Sequence, residues 1–459
     1  MKQIVCIILL LCLCPIGVHA GIYYVSTDGT ASWSEATSQS TPCSASTAMS
    51  NASAGDTVYF LDGTYYVGDQ GSEYRRPVLQ PSNSGTSGNE ITFQALNNHG
   101  ATIVGEDSDG GLRVAVIGTY LEDYIVWDGF VCQAVDASDN TIMAGANFYD
   151  TNNSAIKNCE IQGASHDTGG SINYEGVRVE DASTVLIENC YIHSFIETSD
   201  NHNTSGFKSY GTDYVTIKNC EFSDNTVGIY IKESYNNNFV IENNWIHGNN
   251  YNGIYYAPKG GISNLTIENN VFYDNYNQIA AGSLDNNVNG LVINNNTIVS
   301  GRSGLGWAEC NNSSSDAAII YNNIIYQTST SDFWGEGDSA YIAECDHNRL
   351  DSPTQITIYA YGANEASYST LSNWQSSDEL YDGSNPGNGS ITDDPQFVNS
   401  SGTLSELSDF ALANDSPCKG AGRNGGDMGA DVSTIGVGVD IDNTSDMLSP
   451  PSSLQISKK

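Results

Sequence analysis

The fold is decided by the stretch Leu265-Thr266-Ile267-Glu268-Asn269-Asn270, because variants of it recur along the chain. Seven copies share the form Ile-x-Asn followed by Asn or Cys, and their first asparagines are Asn158, Asn189, Asn219, Asn243, Asn269, Asn295 and Asn322. Neighbouring copies are therefore 24 to 31 residues apart. Repeats of this length indicate a solenoid, in which each unit buries its apolar side chains only against its neighbours.

Each copy predicts a short β-strand that ends in a turn. In Val215-Thr216-Ile217 the period of two places Val215 and Ile217 on one face of the strand and Thr216 on the other. The asparagine that follows tolerates a left-handed backbone and can bond to the copies above and below it, so we expect a structural role for that row. The region lacks a helical period. The sequence predicts an all-β protein, a right-handed parallel β-helix of about ten or more coils.

The repeated pattern Val-Thr-Ile-x-Asn-Asn/Cys-x-Ile/Phe resembles that of the pectate-lyase-like right-handed β-helix superfamily. Segments near both ends add to this resemblance: Tyr23 to Gly29, Ala54 to Phe60, Phe410 to Leu412 and Gly426 to Ala430 are similar to parts of secreted β-helix polysaccharidases, including family 9 polysaccharide lyases. The resemblance covers residues 22 to 432 and implies the fold. It leaves the activity open, because the superfamily contains lyases, hydrolases, epimerases and non-catalytic binders.

Residues 1–20 have the pattern of a signal peptide, with Lys2, an apolar run and a small-residue cleavage site that ends at Ala20. We expect the β-helix domain to span 21–435 and a polar tail or linker to span 436–459. No later stretch approaches the roughly 20 apolar residues that a membrane span needs. The protein is therefore expected to be secreted, extracellular or periplasmic, without a membrane partner and as a monomer.

The chain is strongly acidic, with 16 basic and 54 acidic side chains and a formal charge of −38. Such a surface repels nucleic acid and anionic membranes, which excludes both as partners. An acidic polysaccharide could bind only through a local basic patch or a bridging cation.

Eight of the 11 cysteines follow the predicted signal peptide, and an even count in an exported protein permits disulfides. Three of them, Cys159, Cys190 and Cys220, occupy the same position of the repeat. This favours a buried stack of free cysteines, which behave as small apolar residues, over disulfide bridges.

The candidate functional residues come from aligning four coils on Gly176, Gly206, Gly228 and Gly253. Strand parity then predicts one outward row of Arg178, Lys208, Tyr230 and Tyr255, and a second of Glu180, Tyr210, Lys232 and Ala257. The residues between them, Val177, Phe207, Ile229 and Ile254, should point inward. Tyrosine rings pack against sugars and the cations can hold carboxylates or sulfates, so these rows predict a binding strip for an acidic polysaccharide.

Acidic residues precede these strands, and their oxygen ligands suit calcium. The segment from Glu188 to Lys208 is similar to the core of family 9 lyases, in which a calcium-binding acidic loop precedes a Gly-Phe pair and a catalytic lysine. That resemblance implies Lys208 as the base and Glu175, Glu197 and Asp200 as Ca²⁺ ligands. The chain departs from it twice: the loop holds fewer aspartates, and the family's lysine stands two residues further on, where this chain has Tyr210.

We therefore expect a polysaccharide lyase that cleaves a pectate- or alginate-like uronate polymer by calcium-assisted β-elimination. Lys208 would remove the proton, and neighbouring cations would lower its pKa. Arg178 or Lys232 would stabilise the developing charge. The expected substrate contacts are Tyr210, Tyr230, Tyr255 and His202, and further candidates in two long loops are Trp307, Trp334 and Arg349.

Two alternatives remain open. The strip could serve a non-catalytic carbohydrate-binding or surface β-helix. A β-helix glycoside hydrolase would need paired carboxylates on successive coils, and it is disfavoured because Asp393-Asp394 lies far along the chain and Gly-His-Gly is absent.

Overall fold

The computed structural model describes residues 20–68, 76–105, 114–134, 142–166, 173–198, 203–233, 235–257, 259–282, 288–308, 316–336, 341–351, 356–359, 366–399 and 404–437. Within these ranges the chain forms a parallel β-solenoid with three long sheets, which we name A, B and C.

Sheet A has thirteen strands: β1 (Ile22–Val25), β2 (Thr57–Phe60), β5 (Ile91–Ala95), β8 (Ile125–Asp128), β11 (Asn152–Lys157), β15 (Ser183–Glu188), β19 (Asp213–Lys218), β22 (Asn236–Glu242), β25 (Ile262–Glu268), β28 (Val288–Asn289), β29 (Val292–Asn294), β32 (Ala318–Tyr321) and β35 (Ile342–Asp346). Sheet B has ten: β3 (Gly63–Val67), β6 (Ala101–Gly105), β9 (Val131–Gln133), β12 (Glu160–Gln162), β16 (Tyr191–His193), β20 (Glu221–Ser223), β23 (Trp245–His247), β26 (Val271–Tyr273), β30 (Thr297–Val299) and β33 (Ile324–Tyr326).

Sheet C has twelve strands: β4 (Pro77–Leu79), β7 (Val114–Tyr120), β10 (Ile142–Tyr149), β14 (Tyr174–Glu180), β18 (Thr204–Tyr210), β21 (Val227–Lys232), β24 (Asn252–Ala257), β27 (Asn277–Ala281), β31 (Ser303–Ala308), β34 (Ser331–Glu336), β36 (Ile356–Tyr359) and β37 (Ala366–Tyr368). A two-stranded sheet joins β13 (Ser165–His166) to β17 (Ile196–Glu197). The helices are α1 (Ala45–Asn51), α2 (Leu371–Gln375) and the 3₁₀ turns Trp33–Glu35, Leu407–Phe410, Arg423–Gly425 and Val432–Thr434.

The predicted fold class is confirmed, and the repeat explains it. Val215 and Ile217 pair in register with Phe239 and Ile241 of the next coil, and all four side chains are buried in the core. The regular solenoid has about seven turns, fewer than the ten or more coils predicted. Strands without the Asn motif precede and follow these turns and continue the three sheets, which is why the sheets contain ten to thirteen strands.

Two ladders fix the turns between sheets A and B. The first asparagine of each copy has a left-handed backbone, with φ between 52° and 57°, as the sequence predicted. The second asparagines form an inner ladder, in which each backbone N–H donates to the Oδ1 of the next coil at 2.9–3.0 Å. The donors are Asn244, Asn270, Asn296 and Asn323, and the ladder ends on the Oδ1 of Asn348. In earlier coils this place is taken by cysteines, and the Cys190 N–H donates to Cys220 Sγ at 3.4 Å. Cys159, Cys190 and Cys220 are buried and free, so the predicted stack is confirmed.

The C-terminal segment 404–437 folds back along the solenoid and covers part of the outer face of sheet B. Phe410, Met428 and Ile435 pack there against Val271 and Ile324. The Gly436 N–H donates to the Asn243 carbonyl at 3.2 Å, so contact with the solenoid continues into the start of the predicted tail. The predicted signal peptide, apart from Ala20, and residues 438–459 lie outside the described residues. Among the helices that the structure describes, none has the length and apolar character to cross a membrane.

Candidate functional site

The register of sheet C aligns the candidate residues on the outer face of successive coils. Arg178 pairs with Lys208, Lys208 with Tyr230, and Tyr230 with Tyr255, while Glu180 pairs with Tyr210. The intervening side chains, Val177, Phe207, Ile229 and Ile254, are fully buried in the core. The inward and outward faces therefore follow the predicted parity.

Glycines before these strands let the coils approach closely. A Cβ atom on Gly176 would lie 2.4 Å from the Gly206 carbonyl oxygen, and one on Gly228 would lie 2.5 Å from that of Gly253. Since the clash is with backbone, no side chain can give way. The glycines bring the side chains that follow them within reach of one another across coils.

Glu175 joins two of the cations. Its Oε1 lies 3.2 Å from Arg178 Nη1 and 3.3 Å from Lys208 Nζ. Arg178 also donates to Glu180 Oε2, from Nε at 2.9 Å and from Nη2 at 2.7 Å. The side chains of Glu175 and Lys208 have no exposed surface. A desolvated group of charges such as this one is held in place by hydrogen bonds, because an unpaired buried charge is costly.

Asn203 places an oxygen atom between two ammonium groups. Its Oδ1 accepts from Lys232 Nζ at 2.7 Å and from Lys208 Nζ at 3.4 Å, and its backbone carbonyl accepts a second bond from Lys208. The position between Lys208 and Lys232 is therefore suited to an acceptor oxygen.

Tyrosine rings line the same cations. The Arg178 guanidinium lies 4.2 Å from the centre of the Tyr210 ring, and Lys208 Nζ lies 5.2 Å from that of Tyr230. Lys232 Nζ lies 5.9 Å and 5.7 Å from the same two rings, and the Tyr230 and Tyr255 ring centres are 4.9 Å apart. Cations and aromatic faces thus form one continuous patch.

The surroundings of Lys208 lower its pKa to about 7. Burial is the largest cause, Glu175 opposes it, and the charges of Lys232 and Arg178 lower the pKa further. Burial also lowers the pKa of Lys232. Burial alone would lower the pKa of Arg178, but Glu175, Tyr210 and Glu180 outweigh it, so Arg178 stays charged. Lys208 can therefore exchange a proton near neutral pH between two groups that carry positive charge.

Two of the three predicted calcium ligands, Glu175 and Glu197, lie within the described residues. Glu175 is engaged by Arg178 and Lys208, while Glu197 is buried, with its Oε2 3.4 Å from the Thr204 hydroxyl. Asp200 and His202 lie outside the described residues. In the part of the chain that the structure describes, no group of three or more His, Cys, Asp and Glu side chains could hold a metal ion. Because Asp200 lies outside these residues, the predicted calcium site is not tested, and calcium stays a prediction.

Two weaker sequence candidates are structural residues. Trp307 is fully buried in the core, and Arg349 is buried and donates to the carbonyls of Ile325 at 2.6 Å and Asp393 at 2.7 Å. Their interpretation as sugar contacts was wrong, because both side chains point away from solvent. Asn203 was missed as a site residue, since it stands outside the repeat and only its proximity to two lysines reveals it.

The comparisons with known proteins agree with this architecture. The family model described as "Right handed beta helix region" matches residues 125–313. The solved structure of pectate lyase Pel9A has a TM-score of 0.57 and 18% identity, with 90% of this chain and 96% of that chain covered. The A-module of mannuronan C-5 epimerase AlgE4 from Azotobacter vinelandii has a TM-score of 0.43 and 12% identity, with 67% and 91% covered. No curated protein matches the sequence.

Identities as low as these show the fold alone. The family model, the three parallel sheets and the likeness to the pectate lyase structure agree on that fold. The chain therefore has a right-handed parallel β-helix fold, similar to that of the pectate lyase structure.

Proposed function

We propose that this chain is a polysaccharide lyase that cleaves a uronate-containing, pectate- or alginate-like polymer by β-elimination. One observation carries the proposal: Lys208, a lysine with a pKa of about 7, stands between Arg178 and Lys232 on the outer face of sheet C. A lysine can act as a base at neutral pH only if its pKa is lowered in this way.

In the proposed reaction, neutral Lys208 removes the proton at C5 of a uronate. The electron pair released forms the C4–C5 double bond, the C4–O glycosidic bond breaks, and the leaving oxygen takes a proton from water. Arg178 and Lys232 stabilise the negative charge that develops on the uronate carboxylate. Glu175 holds Arg178 and Lys208 in position through its two ion pairs.

The uronate carboxylate would bind where Asn203 Oδ1 now lies, between Lys208 and Lys232. Because Lys208 has no exposed surface, a substrate must displace the Asn203 contacts before it can reach the Nζ atom. The exchange replaces a neutral acceptor by a charged one, and charge-assisted hydrogen bonds of this kind are the stronger ones.

Calcium is a separate proposal, taken from the sequence resemblance. If the chain uses calcium, Glu197 and Asp200 would be its ligands, because Glu175 is engaged by two cations. Its chemistry would be to neutralise the substrate carboxylate. None of the steps above depends on it.

A second candidate is a carbohydrate-binding β-helix without catalysis. The enclosure of Lys208 favours it, since a lysine closed in by Glu175, Asn203 and Tyr230 can serve to hold the binding face together. In either case we propose a secreted monomer that acts on an acidic polysaccharide. Secretion is tested by sequencing the N-terminus of protein recovered from culture medium, which should begin at Gly21.

The experiment mixes the purified protein with polygalacturonate and with alginate, first with calcium and then with a chelator. Elimination is followed by the ultraviolet absorbance of the unsaturated uronate that it creates. Lys208→Ala should slow the rise of the signal by about 10²- to 10⁴-fold. Lys218→Ala, which removes a lysine from the outer face of sheet A, should keep the signal. A flat trace on both polymers from folded protein would refute the lyase and favour the binder. Loss of the signal with chelator alone would support calcium.

A further inference from the structure

A second group of aromatic and cationic side chains lies further along sheet C. In three successive coils, the residue directly before the strand is Tyr251, Tyr276 and Arg302, ahead of β24, β27 and β31. The two tyrosine rings are stacked, with centres 6.1 Å apart and planes 12° from parallel. The Arg302 guanidinium carbon lies 5.7 Å from the centre of the Tyr276 ring, and Nη1 lies 3.4 Å from its hydroxyl.

A buried ladder holds this group in place. Asn249 Nδ2 donates to Asn275 Oδ1 at 2.7 Å, and Asn275, the residue directly before Tyr276, donates from Nδ2 to Gln278 Oε1 at 2.6 Å. The backbone N–H of Arg302 also donates to the Tyr276 carbonyl at 2.7 Å. A surface whose backbone is fixed before binding loses little conformational entropy when a ligand arrives.

The group is accessible and carries a positive charge for which the described residues supply no counter-ion. Tyr276 is 47% exposed, and Arg302 is exposed as well. Within the described ranges, Arg302 has no carboxylate within ion-pair distance, unlike Lys157, Arg178, Lys208, Lys218, Lys232, Lys259, Arg349 and Arg423. In a chain with 54 acidic and 16 basic side chains, a guanidinium left unpaired is available to an anionic ligand.

The group is continuous with the strip around Lys208. Lys208 Nζ is 5.2 Å from the Tyr230 ring, and the Tyr251 N–H donates at 2.9 Å to the carbonyl of Thr226, the residue directly before the strand of Tyr230. Neighbouring strands are about 4.8 Å apart, and the coil that carries Arg302 is the fourth after that of Lys208. The two cations are therefore separated by roughly 19 Å along the solenoid axis.

We propose that Tyr251, Tyr276 and Arg302 form a distal subsite for an acidic sugar of the polymer that the Lys208 centre engages, an inference that rests on the proposed function. The exposed part of the Tyr276 side chain offers an apolar surface to a sugar ring, and the Arg302 fork binds its carboxylate or sulfate. A polymer that fills both sites spans about 19 Å or more, so affinity should increase from short oligomers to long chains.

The test is affinity electrophoresis of the full chain through gels that contain polygalacturonate or alginate. It is run at about pH 5, where Lys208 is protonated and elimination cannot digest the gel. We expect Arg302→Ala to bind about tenfold more weakly and with a smaller dependence on salt, because one charged contact is lost. Tyr276→Ala should also bind more weakly. Lys419→Ala, which removes an exposed charge from the C-terminal segment, is the matched control and should bind as the wild type does.

Equal retardation of Arg302→Ala and the wild type would overturn the distal subsite, and so would absence of wild-type retardation on both polymers. The two proposals fail separately. A protein that produces no unsaturated uronate but binds through Arg302 would refute the lyase and support the subsite. An active lyase that is indifferent to Arg302→Ala would refute the subsite alone.

Discussion

At the scale of single residues, two cations of the candidate site share one carboxylate, and this affects the pKa of Lys208. Glu175 serves both Arg178 and Lys208, and Glu180 is engaged by Arg178. Lys208 is thus buried with less than one full counter-charge of its own, and its pKa falls to about 7 as a result.

The pH dependence of elimination should follow Lys208. Because the base must be neutral, kcat/KM should rise with pH and reach half of its plateau near pH 7. Lys208→Ala should lower kcat by about 10²- to 10⁴-fold, the usual contribution of a general base. The measurement is kcat/KM against pH for the wild type. A profile that is flat between pH 6 and 8 would assign the proton transfer to another group.

Asn203 offers a way to move that profile. Asn203→Asp places a carboxylate between Lys208 and Lys232, which favours the charged form of Lys208 and raises its pKa. The acidic limb should therefore shift to higher pH and the rate at pH 7 should fall. Asn203→Ala removes the oxygen without adding charge and serves as the control. If the acidic limb of the Asn203→Asp profile stays in place or moves to lower pH, Lys208 is not the group that titrates.

At the scale of elements, hydrogen bonds of the asparagine ladders fix the register between neighbouring coils of the solenoid. Asn270 Oδ1 accepts the Asn244 N–H at 2.9 Å, and its Nδ2 donates to the Ile241 carbonyl and to Asn296 Oδ1. Each bond crosses to a neighbouring coil, so one buried side chain links three coils.

Asn270→Ala should therefore destabilise the protein by about 3 kcal/mol, since it leaves buried donors and acceptors of two neighbouring coils without partners. Thr266→Ala, on the outer face of the same coil, is the control and should change the free energy of unfolding by less than about 1 kcal/mol. Urea unfolding followed by circular dichroism measures both. If Asn270→Ala lowers the free energy of unfolding by no more than Thr266→Ala does, the ladder does not stabilise the register of the coils.

The elements also show how far the sequence predicts this protein. Strands, turns and the outward rows could be predicted from Gly176 to Gly253, because every coil there meets the same packing requirement. The sequence could not predict whether the Trp307 side chain points into the core or outward, because long loops between the coils leave the start of its strand undefined. In the structure its neighbour Gly306 pairs with Trp334, whose side chain points outward. The partners of Glu175 could not be predicted either. Arg178 and Lys208 lie on different coils, and a buried carboxylate can bind a metal ion as well as a cationic side chain.

At the scale of the whole molecule, the C-terminal segment 404–437 closes the side of the solenoid. Arg423 donates to Asp346 from Nε at 2.5 Å and from Nη2 at 2.6 Å, pairs with Glu344 at 2.8 Å, and lies 4.0 Å from the Tyr321 ring centre. A bidentate pair supported by a second carboxylate and a ring holds the segment more firmly than an isolated surface ion pair could.

Arg423→Ala should loosen this segment. We expect the backbone amides of Gly429 and Gly436 to exchange with deuterium at least about tenfold faster, because their bonds to Asn322 and Asn243 open more often. Amides in β19 and β22 should be unaffected. Mass spectrometry of peptic peptides measures the rates, with Lys419→Ala as the control. Unchanged exchange at Gly429 would show that apolar contacts alone hold the segment.

The fold-back of that segment also decides how the protein would respond to force. Between Arg423 and Gly436 the chain bonds in turn to Asn322, Asn295, Asn269 and Asn243, one residue in each of four coils. Tension applied at the C-terminal end would be shared by these bonds to four coils. The last coil could therefore not unfold by itself. A molecule pulled from this end should therefore resist unfolding until the bonds of the C-terminal segment break together. Its length should then increase abruptly, because several coils unfold at once.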